Sequence, residues 1–261
     1  MTIAFTRSVA PTIVNCELTH LDREPIDLAR AAEQHGLYER ELIAAGCVIQ
    51  RLPDLPDLPD SVFVEDTAVV LREIAILARP GAASRRPEVA SVAEALRPHR
   101  LLSFIEPPGT LDGGDVLVIG STIYVGESAR TNSEGIRQLA DFASDYSYAV
   151  RPVKVSRCLH LKSAVTRVAE DLILVNSAWV DSSSFKRMQQ IEVHPSEPFA
   201  ANALWIGENV IYPRTYEKTR ARLEGIGLNV HLVETGELQK AEGGVTCCSI
   251  LIQPHLDAPE Q

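Results

Sequence analysis

A carboxylate-rich loop, a histidine set between leucines and a pair of adjacent cysteines are the parts of this 261-residue sequence that can do chemistry. In P-D-S-V-F-V-E-D, residues 59–66, Asp60, Glu65 and Asp66 share a short stretch with Val62, Phe63 and Val64. Apolar neighbours desolvate a carboxylate, which is costly unless a cation pairs with it. A ligand cation would serve; a solvated loop with its charges turned outward is the competing reading. G-T-L-D-G-G-D-V, residues 109–116, brings Asp112 and Asp115 with two glycines to the start of an apolar run, where backbone can approach a ligand closely. Taken alone, that motif reads more simply as an Asp-Gly turn. L-H-L-K-S-A, residues 159–164, places His160 between alternating leucines, and a lone histidine there reads as structural. G-G-V-T-C-C-S, residues 243–249, changes its weight. Cysteine, histidine and a carboxylate can form a triad in which a thiolate attacks, an imidazolium lowers the thiol pKa and donates to the leaving group, and the carboxylate orients the ring. The bland alternative is two core cysteines on the last strand, since free cysteine is among the most buried residue types.

Groups spread over nearly 200 positions need a scaffold that brings them together, and the sequence contains a near-repeat that does so. TAVVLREIAILAR from Thr67, GDVLVIGSTIYVG from Gly114, SAVTRVAEDLILV from Ser163 and ANALWIGENVIYP from Ala201 each read as two apolar β-runs around a turn. GVTCCSILI from Gly244 supplies a fifth first strand, for which the N-terminal TIAFTRSVA is a hairpin partner. Equivalent positions Asp66, Asp115, Ser163, Asn202 and Cys247 are separated by 49, 48, 39 and 45 residues. Helices are predicted over 25–45, 87–96, 132–142, 183–191 and 216–225, with Ser133 and Thr215 as N-caps and Gly225 as a stop. Short β-runs follow them, as in LLSFI from Leu101 and LNVHLVE from Leu228. A hairpin–helix–strand unit cannot cover its own apolar faces, so five of them must pack together, and closure into a ring would remove exposed sheet edges. An ordinary α/β sandwich with an accidental period is the alternative. In a ring, Glu65, Asp66, Asp112, Asp115, His160, Lys162, Asn202 and Cys247 converge at one end of the axis.

No linker interrupts the chain, and the proline-dense stretch 52–59 is short enough for one loop, so one domain over residues 1–261 is expected. A formal charge of −10 without a basic stripe argues against nucleic acid and is compatible with cationic small molecules. Five cysteines (Cys16, Cys47, Cys158, Cys247, Cys248) without a CxxC pair, and an N-terminus lacking an apolar core, fit a reducing cytoplasm. No run approaches the ~18 apolar residues of a membrane helix, and HLDAPEQ at the C-terminus reads as a polar tail.

In order along the chain, PDSVFVEDTAVV, LDGGDVLVIG, VGESARTN, CLHLKSAV and GGVTCCSI resemble the motifs of the dimethylarginine dimethylaminohydrolases, a family of the guanidino-group-modifying pentein superfamily. The resemblance spans nearly the whole chain. It implies a fivefold pseudosymmetric α/β propeller of ββαβ units, in agreement with the repeat. It also implies hydrolysis of asymmetric dimethylarginine or monomethylarginine to citrulline and an amine, with no organic cofactor and no metal. By the same resemblance Cys247 is the nucleophile, His160 the general acid/base and Asp112 the carboxylate beside it. Asp60 and Asp66, with Glu65 beside them, hold the guanidinium; Arg85 and Arg130 bind the amino-acid end; and Leu18 and Ala241 supply backbone contacts. Zinc is expected to inhibit through Cys247 and His160, with Glu242 nearby. Competing readings are a guanidine hydrolase for arginine or hydroxyarginine, a non-catalytic binder of cationic amino acids, and a metallohydrolase using His160, Glu65, Asp66 and Cys247, which no H-x-x-x-H spacing supports. The partner is a small methylated arginine, with no nucleic acid and no membrane; the sequence leaves monomer and homodimer open.

Overall fold

Short runs of three to six residues, split by turns and crossing segments, give fifteen strands in the computed structural model, which describes residues 1–253. The proposed polar tail 255–261 lies outside the described residues. The chain runs β1 (Thr2–Thr6), α1 (Leu28–Ala44), β2 (Cys47–Arg51), β3 (Ala68–Val70), β4 (Ile74–Leu77), α2 (Val89–Leu96) and β5 (Leu101–Phe104). It continues through β6 (Val116–Ile119), β7 (Thr122–Glu127), α3 (Ser133–Ser144), β8 (Ala149–Lys154), α4 (Leu161–Ala164), β9 (Val165–Ala169), β10 (Leu172–Val175) and β11 (Gln189–Glu192). It closes with β12 (Leu204–Ile206), β13 (Asn209–Pro213), α5 (Glu217–Gly225), β14 (Asn229–Val233), α6 (Gly236–Gln239) and β15 (Ile250–Ile252).

The strands form five three-stranded sheets of one design. In each, an inner strand pairs antiparallel with a middle strand, and an outer strand pairs parallel with the middle one. Parallel neighbours need a crossover, which α1, α2, α3 and α5 provide in four sheets and a segment with only a 3-10 turn, Ser182–Phe185, provides in the fifth. The N-terminal strand completes the ring, because β1 pairs with β15 in the register Ile3 to Ile252. Residues from all five inner strands, among them Val69, Leu117, Thr166, Leu204 and Leu251, line one axial cavity of about 270 Å³. Apolar clusters join successive sheets: Val69 and Ile76 of the second pack with Val125 of the third and Leu139 of α3. The fold is therefore the fivefold α/β propeller expected from the repeat.

Two local expectations fail for physical reasons. Residues 183–191 are not helical: a 3-10 turn, Ser182–Phe185, leads to β11, whose residues pair with β10. A serine-rich start competes for its own backbone, and the edge of β10 claims the rest. The caps of α3 and α5 are also displaced. Asn132 Oδ1 accepts the Gly135 N–H at 2.8 Å, one residue before the expected Ser133. The start of α5 is served by Glu197, which accepts the N–H groups of Lys218 and Thr219 at 3.0 and 2.8 Å, not by Thr215.

What the fold does for chemistry is concentrated just ahead of the inner strands. A 3-10 turn (Val64–Thr67) precedes β3, another (Gly113–Asp115) precedes β6, α4 precedes β9, and a turn through 245–248 precedes β15. These equivalent positions meet at one end of the ring. Among the described residues no helix is long and apolar enough to cross a membrane.

The loop 52–63 that leads to the first turn hangs on Arg7, which is fully buried. Its guanidinium donates to the carbonyls of Pro53 and Ser61 at 3.0 and 2.9 Å and to Ser91 Oγ at 2.7 Å. Arg7→Met leaves these acceptors buried and unpaired, and a loss of about 3 kcal/mol is expected, read as a lower urea midpoint at unchanged slope. A midpoint within error of the parent would show that this clamp is dispensable.

Candidate active site

Asp66 lies in the 3-10 turn before β3, buried at 3% exposure, and three groups converge on it. Oδ2 accepts from Arg85 Nη1 at 2.5 Å, Oδ1 accepts the Gly114 N–H at 2.9 Å, and His160 Nδ1 stands 3.8 Å from Oδ1. His160 is the extended residue just before α4, and its other ring nitrogen, Nε2, lies 3.1 Å from Asp112 Oδ2. The imidazole is thus held between two buried carboxylates. The Gly-Gly pair makes this approach feasible: a Cβ on Gly113 would lie 2.0 Å from the Glu65 carbonyl oxygen, and one on Gly114 2.5 Å from His160 Nδ1. Asp115 acts at one remove. Its Oδ1 accepts the Leu161 N–H at 2.9 Å and its Oδ2 the Ser128 hydroxyl at 2.5 Å, which anchors the turn carrying His160.

These charges set the protonation states. Burial works against an imidazolium, but Asp66, Asp115 and Asp112 outweigh it and raise His160 to about 9. Asp66 is pulled the other way: although burial disfavours its charge, His160 and Arg85 bring it down to about 2. Burial alone lifts Asp115 to about 6 against the pull of His160 and Ser128.

Cys247 sits in the turn before β15, half-buried, with its Sγ accepting the Gly244 N–H at 3.3 Å. It forms part of the wall of a cavity of about 380 Å³ that Leu21, Leu159, Asn202 and Glu242 also line. Burial, then Glu65 and Asp66, push its thiol up to about 12. Cys248 is buried among Ile13, Tyr38 and Val245. The two cysteines precede the strand instead of lying on it, so the turn, not strand alternation, sends one to the cavity and the other to the core.

The remaining candidates divide. Asp60 is buried beside this layer, both carboxylate oxygens accepting the Glu17 N–H at 3.1 and 3.3 Å. Arg85 is fully engaged: besides Asp66 it donates to both oxygens of Glu88 at 3.1 and 2.9 Å and to the carbonyls of Asp60 and Phe63. Arg130 donates to Thr19 Oγ1 at 3.1 Å, with Nη1 3.8 Å from Asp112 Oδ2. Leu18 and Ala241 are brought together by a residue between motifs, Glu242, whose carboxylate accepts the successive N–H groups of Thr19, His20 and Leu21 at 3.0, 2.5 and 2.7 Å. Glu65 faces away from the guanidinium contacts proposed for it: Lys162 and Thr246 occupy its two oxygens, and it lines the axial cavity on the opposite side. Glu88 carries no sequence signal, since it looks like an ordinary surface acid, and Glu242 is expected from the sequence only as a neighbour of Cys247, not as the acceptor of the 19–21 backbone.

Ligand atoms of Asp66, Asp112 and His160 lie within 4.8 Å of one another, so this cluster could grip a metal ion. The Asp66 oxygen that faces His160, Oδ1, already accepts the Gly114 N–H, so an ion there would have to share it. Glu242, expected near a zinc ion on Cys247 and His160, is committed to the 19–21 backbone.

Five three-stranded units around an axis, with cysteine, histidine and carboxylates at one end, define a protein of the pentein class. The model of the N,N dimethylarginine dimethylhydrolase family, eukaryotic form, matches residues 18–195. An N(G),N(G)-dimethylarginine dimethylaminohydrolase of Streptomyces coelicolor is 40% identical over 256 residues, 97% of this chain and 98% of the relative. One from Pseudomonas aeruginosa is 37% identical over 227 residues, 86% and 89% of the two chains. A solved structure of the Pseudomonas aeruginosa protein, a cysteine-to-serine mutant complexed with citrulline, superposes with a TM-score of 0.91 at 35% identity and covers 95% of this chain and 98% of its own. The chain belongs to the dimethylarginine dimethylaminohydrolase family.

Because burial and two carboxylates oppose the thiolate, alkylation of Cys247 in the free protein is expected to keep accelerating between pH 8 and 10, with Cys248 unmodified. Peptide mass spectrometry after iodoacetamide treatment checks both points. A rate that levels off below pH 8, or Cys248 reacting first, would contradict this geometry.

Proposed function

We propose that the protein hydrolyses N-methylated L-arginine, asymmetric dimethylarginine and monomethylarginine, to L-citrulline and an alkylamine through a covalent thiouronium on Cys247. The observation that carries this reading is a cavity-lining thiol that feels the Asp66 charge, with Asp66 in turn 3.8 Å from an imidazole held between two buried carboxylates. The complex of a relative with citrulline supports the product.

In the free protein near neutral pH both thiol and imidazole carry protons, His160 at about 9 and Cys247 at about 12. A guanidinium entering beside Asp60 and Asp66 adds positive charge where those carboxylates hold the thiol protonated, so substrate itself favours the thiolate. The guanidinium carbon is resonance-stabilised and a poor electrophile, which makes a fixed plane and a positioned nucleophile the main requirements. The thiol loses its proton to solvent, the thiolate adds to the guanidinium carbon, and His160 gives its ring proton to the departing methylated nitrogen. Collapse expels the amine and leaves an S-alkylthiouronium. The now neutral His160 takes a proton from water as the oxygen adds to the same carbon; breaking of the C–S bond, with the oxygen's remaining proton passing to solvent, frees citrulline and returns the thiolate. Asp112 holds the imidazole in place. In this reading Arg130 takes the substrate carboxylate, and Arg85 acts on Asp66 and the 60–63 loop, so any contact it makes with substrate is shared with these. The carbonyls of Leu18 and Ala241 are suited to the α-ammonium. Free cysteines throughout fit a reducing cytoplasm.

His160→Ala is expected to lose at least ~10³ in kcat on asymmetric dimethylarginine with no thiouronium mass on the Cys247 peptide, because forming that adduct needs the acid; Cys247→Ser is expected to lose as much, also without an adduct. An active His160→Ala enzyme would remove the proposed acid.

Substrate choice follows from burial of methyl groups. Two buried methyl carbons contribute roughly 0.8 kcal/mol each, about 1.6 in total and roughly tenfold in preference. The specificity constant for asymmetric dimethylarginine is expected to exceed that for arginine, in citrulline release from arginine, monomethylarginine, asymmetric dimethylarginine and hydroxyarginine. Tenfold better turnover of arginine or hydroxyarginine would assign a different guanidine substrate.

A further inference from the structure

Cys247 stands above a polar layer that the reaction as written does not use. Asn202 faces the cavity on the Cys247 side, while Glu65, Lys162 and Thr246 line the axial cavity on the other. Lys162 Nζ donates to Glu65 Oε1 at 2.5 Å, the two side chains being 15% and 13% exposed. Glu65 Oε2 accepts from Thr246 Oγ1 at 2.7 Å, and Asn202 ties the layer together by donating to the Lys162 carbonyl and to Thr246 Oγ1, both at 3.0 Å. The backbone pins this layer to the nucleophile: the Glu65 N–H donates to the Cys247 carbonyl at 3.1 Å, and Thr246 Oγ1 lies 4.0 Å from Cys247 Sγ. The carboxylate therefore cannot swing away from the thiol, and an uncompensated anion there opposes a second negative charge.

We propose that Lys162 is a positioning residue for catalysis: its ammonium cancels the Glu65 charge beneath Cys247 and so permits the thiolate to form. The role rests on Cys247 being the nucleophile. The charges facing the thiol are Glu65 and Asp66, which hold its proton on, and Lys162, which helps it leave. Around Glu65 stand Lys162, Asp66 and the Thr246 hydroxyl. From α1 the Tyr38 hydroxyl reaches Ser249 at 2.7 Å, and it feels both Glu65 and Cys247. Asp66 in turn is matched by His160 and Arg85, so Lys162 is the cation available to Glu65.

The test is the pH dependence of iodoacetamide alkylation of Cys247 without substrate, followed on the Cys247 peptide in the parent, Lys162→Met, Lys162→Arg, Glu65→Gln and the double variant Glu65→Gln/Lys162→Met. Lys162→Met is expected to slow alkylation at pH 8.5 at least fivefold, Glu65→Gln to accelerate it at least fivefold, and Lys162→Arg and the double variant to stay within threefold of the parent. Parent-like rates in Lys162→Met, or a double variant as slow as Lys162→Met, would overturn the proposal, the latter by showing that Lys162 acts through packing. If Lys162→Met does not fold, Glu65→Gln decides alone: acceleration supports the role and an unchanged profile overturns it. Since no substrate is present, a protein that alkylates as expected yet releases no citrulline would refute the substrate reading and leave this one standing.

Discussion

The buried carboxylate of Asp66 is the contact on which the rest of the site depends. It accepts from Arg85 and from the Gly114 backbone and lies beside the His160 ring. An anion taken so far from water is tolerated only because these partners replace its solvation. The same charge then acts in two directions, holding His160 as an imidazolium and keeping the Cys247 thiol protonated. The free protein is thereby poised as an acid with a resting nucleophile. A cationic substrate adjusts that balance at the moment it arrives.

Pseudosymmetry explains how so few residues achieve this. Each unit places a short turn just ahead of its inner strand, and each turn carries different chemistry: carboxylates before β3 and β6, the imidazole before β9, Asn202 before β12 and the thiol before β15. Repetition of one backbone device at one end of a ring makes residues 66, 112, 160, 202 and 247 neighbours without long connecting loops. The closeness required has a cost in side-chain freedom, which is why Gly113 and Gly114 stand where a Cβ would strike the Glu65 carbonyl and the His160 ring.

The segment between β1 and α1 is organised differently. Arg23 ties it to itself through the Val14 and Cys16 carbonyls, and groups outside it fix the rest: Glu242 holds the N–H groups of residues 19–21, Lys240 Nζ donates to the Pro25 carbonyl at 2.9 Å, Glu237 accepts the Asp27 N–H at 2.9 Å, and Asp60 accepts that of Glu17. These outside groups lie 43 to more than 200 positions away along the chain. The wall of the Cys247 cavity formed by His20 and Leu21 therefore exists only in the closed ring.

The amino-acid sequence alone determined the hairpin periodicity, the ring it implies and the convergence of Asp66, Asp112, His160 and Cys247, because alternation of apolar residues and the spacing of turns are local properties. The same locality explains its failures. The helix over 183–191 gave way to pairing with β10, and the cap of α5 came from Glu197, each decided by a partner distant in sequence. Tertiary structure also separated residues that look equivalent in the chain. Glu65 and Asp66 are adjacent, yet a 3-10 turn sends one to Lys162 beneath the thiol and the other to Arg85 and His160. Cys247 and Cys248 part in the same way, one to the cavity and one to the core. Which of two neighbouring side chains meets a ligand depends on backbone direction within a single turn, and that direction is set by packing against the other four units.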